Sequence, residues 1–181
     1  ECVKVSSSSK PLPVRIIDWC FSIAGKITTP SELRQLSMRA LTVNTQVPAS
    51  RWTPSTKVGP SAKYGSFMFA DQLSLDHGAF GISPAEARSM DPQQNLVLSV
   101  GYSALRQGGD FLSSIKSNIG VFVGLEASGL KGHKEEASVY SASGGALSVT
   151  SGRLSYSLGL VGPCYSIDTA CASALAALHA C

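Results

Sequence analysis

Residues 119–124 read Ile-Gly-Val-Phe-Val-Gly. A short apolar run bounded by glycine marks a central strand buried on both faces. Such a strand needs helices on both sides, so this segment points to a layered arrangement. Tyr165-Ser166-Ile167 is a second strand candidate. Between the two lies a helix candidate over 145–158, rich in small residues, followed by Gly162-Pro163, which breaks the chain. Strand and helix alternate, so the expected class is α/β, with a sheet covered by helices.

Upstream, residues 6–13 (SSSSKPLP) offer nothing to a core, and 1–13 reads as a linker or a truncated leader. Apolar content rises from Val14, and residues 14–17 are a first strand candidate. Residues 30–41 predict a helix, with Thr29 as cap and Leu33, Leu36 and Leu41 as apolar positions. Residues 44–65, rich in Pro, Ser, Thr and Gly, read as a long surface loop. Ser83-Pro84-Ala85-Glu86 is a capping box with proline at the first helical position. Asp91-Pro92-Gln93-Gln94 repeats the logic, so a short helix runs into a longer one. The longer helix carries Leu96, Val97, Val100, Ala104 and Leu105 and stops at Gly108-Gly109. Lys131, His133, Lys134 and Glu135 mark a charged loop. No repeat of solenoid period is present.

Composition bounds the function classes. With 181 residues, 44% of them hydrophobic, the chain can bury one sizeable core. A net charge of +3, without a basic run interleaved with aromatics, gives no argument for nucleic acid. No apolar stretch reaches about 18 residues, so no membrane span is expected. The N-terminus lacks the pattern of a secretory signal. The five cysteines are odd in number and form no Cys-x-x-Cys pair, which argues against a disulfide framework and a zinc site. Reduced thiols in a cytoplasmic compartment are expected. The chain begins at Glu1, and residues 173–181 are almost all apolar with no residue to stop a helix. It reads as a fragment whose last helix packs on partners outside this sequence.

The chemistry concentrates in Ser166-Ile167-Asp168-Thr169-Ala170-Cys171-Ala172-Ser173. A strand ends, two residues turn, and Cys171 opens an apolar helix. Backbone N–H groups at a helix start have no internal partners, and with the helix dipole they favour a thiolate. They also suit the oxyanion that forms when a thioester carbonyl is attacked. Small neighbours at Ala170, Ala172 and Ser173 leave room for that carbonyl. The geometry parallels the nucleophile elbow of hydrolases without its Gly-x-Ser-x-Gly pattern. The alternative is a buried structural cysteine, since an unpaired thiol is often a small core hydrophobe. Cys164, in a strand, and Cys181, on the apolar helix, take that alternative. Cys2 and Cys20 have no supporting context.

These residues belong to a longer pattern. Asp168-Thr169-Ala170-Cys171 resembles the active-site motif of β-ketoacyl synthases of the polyketide and type I fatty-acid synthase kind. Gly152-Arg153-Leu154-Ser155-Tyr156, Gly159 and Gly162-Pro163 resemble the segment before it. Phe80-Gly81-Ile82-Ser83-Pro84, Glu86-Ala87 and Met90-Asp91-Pro92-Gln93-Gln94 resemble the family's middle signature. Gly120-Val121-Phe122-Val123-Gly124 is similar to its central strand, and Val47-Pro48-Ala49-Ser50-Arg51-Trp52 to an early loop. The resemblance spans residues 14–181 and implies the N-terminal half of a thiolase-like fold, layered αβαβα with a mixed sheet, in a homodimer. It implies Cys171 as the nucleophile that takes an acyl group from the phosphopantetheine arm of an acyl-carrier protein. A malonyl-type thioester is then decarboxylated and its carbanion attacks the acyl-cysteine, so covalent catalysis splits one hard step into two. No cofactor bound by this domain and no metal is implied.

Two departures accompany the resemblance. The family uses two histidines from its second half, and His77, His133 and His179 lie in none of its catalytic histidine motifs. Condensation is therefore expected to need groups outside this sequence. His77 reads as a surface or half-buried structural histidine and His133 as solvated. His179 reads as a core histidine, with the wall of an acyl pocket as the alternative. The family's Gly-Met-type turn and Pro-Gly pair are replaced here by Asp18-Trp19-Cys20 and Ala24-Gly25. Asp91 to Gln94 read as a helix start near the core, Asp168 as a hydrogen-bonder of the turn. Arg153 either pairs with a carboxylate such as Asp168 or lies at the surface. The competing readings are a non-catalytic copy that binds carrier protein or dimerises, a thiolase-like enzyme acting on coenzyme A thioesters, and a cysteine hydrolase.

Overall fold

A computed structural model of the chain describes residues 16, 19–52, 62–107, 109, 118–127 and 139–181. The strand expected at 14–17 and the charged loop with Lys131, His133, Lys134 and Glu135 lie outside them, Ile16 apart.

The first helix, Pro30–Met38 (α1), starts as its sequence predicts. Thr29 Oγ1 accepts from the Glu32 N–H, and the Glu32 carboxylate accepts from the Thr29 N–H at 3.0 Å. Those bonds, with the Thr28 N–H as the largest contributor, hold the Glu32 carboxyl below its ordinary range. The helix stops at Met38, just before Ala40 takes a φ of 49. The segment read as a loop over 44–65 begins with one short strand, Asn44–Gln46 (β1), and runs into another, Tyr64–Ser66 (β2), the two paired antiparallel with Thr45 opposite Gly65. Both are largely exposed, so they carry no apolar alternation to betray them.

Helices Pro84–Ser89 (α2) and Pro92–Gln107 (α3) follow one another as their start signals require. Ser83 accepts from the Glu86 N–H at 3.2 Å. The reciprocal arm of the expected box is absent, because the Glu86 carboxylate turns to Arg153 instead. Asp91 Oδ1 accepts from the Gln93 N–H at 2.8 Å, while the Asp91 N–H donates to Gly144 O at 2.9 Å. Gln94, only 1% exposed, donates from its amide to Ser143 O at 3.0 Å. The start of α3 is thereby clipped to a single helical turn, Ser141–Gly144 (α4).

The central layer is the parallel pair Val121–Gly124 (β3) and Cys164–Ile167 (β4), in register Val121 to Cys164 and Gly124 to Ile167. Leu147–Leu158 (α5) crosses between them and ends at Gly159, whose φ of 65 admits the left-handed cap. The Leu160 N–H then reaches back to Ser155 O at 2.9 Å. The Val121 N–H donates to Pro163 O at 2.8 Å, and at the other end the Leu125 N–H donates to Ile167 O at 3.1 Å. The last helix, Ser173–Ala180 (α6), packs on both strands, as does α5, without substantial packing between these two helices. The strands therefore lie between helical layers, the α/β class expected. The core gathers Ile82, Met90, Leu98, Val121, Leu154 and Leu160, with Ala87 of α2 packed against it, and so joins α2, α3 and α5 to β3.

Candidate active site

Strand β4 sets the height and direction of the chain where it reaches Asp168. Its Ser166 hydroxyl is held by Ser151 of α5, 2.9 Å between the two oxygens, and Ser151 is 1% exposed. Beyond Ile167 the chain turns through Asp168 and Thr169 into a short 3-10 segment, Ala170–Ala172, and then α6. Ala170 takes a φ of 52, a left-handed conformation that costs a side chain on the order of 1–2 kcal/mol. It persists because its neighbours are tied down. Asp168 Oδ1 accepts from the Ala170 N–H at 3.1 Å, the expected role of that carboxylate. Ser173 Oγ accepts from the Thr169 N–H at 2.8 Å and donates to Ala170 O at 2.7 Å. The Ala172 N–H donates to Thr169 O at 3.2 Å, and that of Ser173 to Ala170 O.

These bonds engage the N–H groups of residues 169, 170, 172 and 173, and the Cys171 N–H takes no part in them. Cys171 itself is exposed. Beneath the turn, β3 ends at Gly124. A Cβ there would stand 2.5 Å from the backbone C and O of Ser173, so only glycine lets α6 seat this close to the strand. Ser173 and Ala177, one turn apart, are the buried residues of α6.

Several expectations are corrected. Cys164 and Cys181 are exposed, not core thiols: Cys164 opens β4 where that strand is exposed, and Cys181 follows the outer end of α6. His179 is exposed too, because α6 turns only its small residues to the strands. Arg153 does pair with a carboxylate, as one of its two readings had it, though not that of Asp168. It is buried and pairs with Glu86 of α2, across the junction of α2 and α5. His77 is half-buried, with Nε2 3.2 Å from Asn95 Oδ1, the structural role expected. His133 lies outside the described residues. A surface depression lined by Leu75, His77, Ile82 and Arg88 shares no residue with the Cys171 turn. Among the described residues no three acidic, His or Cys side chains gather as metal ligands.

Two residues that shape the turn carry little signal in the sequence. Ser173 was read only as a small neighbour, although a serine four positions after Thr169 is placed to bond back across the turn. Gly124 was read only as the boundary of a strand.

A sequence model of a protein family, described as "Beta-ketoacyl synthase, N-terminal domain", matches residues 14–181. The chain belongs to the β-ketoacyl synthase family. Among curated β-ketoacyl synthase relatives, it is 38% identical over 173 residues to "Erythronolide synthase EryA3" of Saccharopolyspora erythraea, covering 92% of this chain and 5% of that one. It is 37% identical over 180 residues to "Polyketide synthase GfsA" of Streptomyces halstedii, covering 92% of this chain and 2% of the relative. The chain thus spans a small part of the curated relatives it matches. A solved ketosynthase from module 6 of the bacillaene synthase of Bacillus subtilis 168 aligns with 90% of this chain and 27% of its own, with a TM-score of 0.69 and 26% identity. The ketosynthase domain OzmH KS7 of Streptomyces albus JA3453 aligns with 91% of this chain and 30% of its own, with a TM-score of 0.74 and 24% identity. The fold is therefore the thiolase-like α/β fold of ketosynthases.

Proposed function

We propose that the protein is a condensing acyltransferase of polyketide or fatty-acid assembly, and that Cys171 is its acyl-accepting nucleophile. The observation that carries this reading is the exposed Cys171 in a turn locked at Thr169, Ala170 and Ser173, within a β-ketoacyl synthase fold.

The Cys171 thiolate attacks the carbonyl carbon of an acyl thioester borne on a carrier protein's phosphopantetheine. The oxyanion accepts a hydrogen bond from the Cys171 N–H, the one the bonds within the turn leave out. Collapse expels the pantetheine thiolate and leaves the acyl group on Sγ. A malonyl-type thioester then loses carbon dioxide, and its enolate carbon attacks the acyl-cysteine carbonyl. The Cys171 thiolate departs and a β-ketoacyl thioester is released. Histidines outside this chain promote the decarboxylation and hold the enolate. The domain needs no bound cofactor, since the carrier brings the substrate. The working unit is a homodimer. Exposed free thiols at Cys164, Cys171 and Cys181 suit a reducing, cytoplasmic compartment. Among the described residues no helix is long and apolar enough to cross a membrane.

The test supplies the intact protein with an acyl-carrier and a malonyl-carrier thioester and follows product by mass. A β-ketoacyl thioester, with loss of carbon dioxide, is expected from the wild type and not from Cys171→Ala. A wild type that takes up the acyl group yet forms no new carbon–carbon bond would instead identify a non-condensing copy.

A further inference from the structure

We propose that Ser173 is a positioning residue for acyl transfer to Cys171, a role that rests on the acyltransferase reading above. Its side chain spans the nucleophile. Ser173 Oγ accepts from Thr169, two residues before Cys171, and donates to the carbonyl of Ala170, immediately before it. Both bonds are short, 2.8 and 2.7 Å, and Ser173 is 5% exposed. On its other side the Ser173 backbone rests on Gly124 at the end of β3, where there is no room for a Cβ. The residue is therefore anchored to the sheet, and its hydroxyl carries that anchorage to the turn.

The turn needs holding. Ala170, with a φ of 52, relaxes towards ordinary helical or extended backbone once released, and every such relaxation moves Cys171. Thr169 and Ala170 are exposed, so water can satisfy the N–H and C=O that Ser173 would abandon. Loss of the hydroxyl thus leaves the fold standing and lets Cys171, sulfur and N–H together, drift from the place where a thioester carbonyl must meet them. Acyl transfer depends on that placement, because the carbonyl must meet the sulfur and the N–H at once. Alkylation by a small reagent such as iodoacetamide needs only an accessible thiol.

The experiment compares the two reactions at Cys171 in the intact protein, with Cys164 and Cys181 as exposed reference thiols. Ser173→Ala is expected to lower the rate of acylation by saturating acyl-pantetheine on the order of 100-fold, while iodoacetamide labels Cys171 at close to its wild-type rate. Ser173→Thr, which keeps the hydroxyl, is expected to restore acylation. Wild-type acylation in the Ala variant overturns the proposal, as does a parallel fall in both reactions. Should the Ala variant unfold, seen as new labelling of the half-buried Cys20, the Thr variant decides. Acylation near wild type then supports the role, and a folded but slow Thr variant overturns it. A wild type that is alkylated at Cys171 and never acylated removes the acyltransferase reading itself, and this role with it.

Discussion

At Gly124 a single hydrogen atom decides how close α6 comes to β3. Ser173 sits against it, and the hydroxyl of Ser173 ties down the two residues that precede Cys171. Gly124→Ala forces a methyl into backbone 2.5 Å away, which no rotamer change can relieve. The helix must shift, and overpacking of this kind costs about 1–3 kcal/mol. The variant is expected to unfold at lower urea concentration than the wild type, measured by circular dichroism. Acylation of Cys171 should fall further than that stability loss explains. At this scale the sequence was legible where residues act on near neighbours. Asp168 bonds within its own turn and His77 meets a nearby helix, as their contexts imply. Arg153 was not legible, since its partner Glu86 is 67 positions away and nothing local selects it.

At the scale of elements, helix starts were the best-marked features of the chain. Thr29, Ser83 and Asp91 each cap where the sequence puts a cap. The α1 box makes a pH prediction. Glu32 has its carboxyl held low in the folded state by the N–H groups of Thr28, the hydroxyl of Thr29 and the N–H of Thr29. A lowered folded-state value means the ionised group stabilises the helix start above its ordinary value of 4.5. That contribution fades as pH falls below 4.5, through the folded-state value. Glu32→Gln is therefore expected to weaken amide protection in the first turn of α1 at neutral pH. The difference from wild type should shrink in acid, followed by hydrogen exchange. Strands β1 and β2 were hidden for the opposite reason. Their residues are largely exposed, and a strand without a buried face has no period to read. Helix α6 was recognised as a helix, but its uniform apolarity could not say which side meets the strands. The small Ser173 and Ala177 do, while Leu175 and Leu178 stay 73% and 69% exposed.

Across the whole molecule, an apolar cluster and a buried ion pair bind the helices together. The cluster, around Leu98, links α2, α3, α5 and β3. The ion pair is Arg153–Glu86, between α5 and α2, with side chains 8% and 25% exposed. Glu86→Ala strands a buried guanidinium, and breaking such a pair costs about 3 kcal/mol, the lower end of the usual range because Glu86 is partly wet. A fall in thermal midpoint, by calorimetry, checks this. Since α5 also carries Ser151, which holds Ser166 of β4, that variant is expected to slow acylation at Cys171 as well. The layered class was legible from Gly-bounded apolar runs alternating with helix signals, because burial on both faces leaves its mark on composition. The proposed chemistry rests on Cys171. It is tested most directly by incubating the intact protein with an acyl-carrier thioester and mapping the acyl mass to individual peptides. The expected result is acylation of the Cys171 peptide, none on those bearing the equally exposed Cys164 and Cys181, and none in Cys171→Ala. Acyl groups spread over all three thiols, or undiminished in the Cys171→Ala protein, would contradict it.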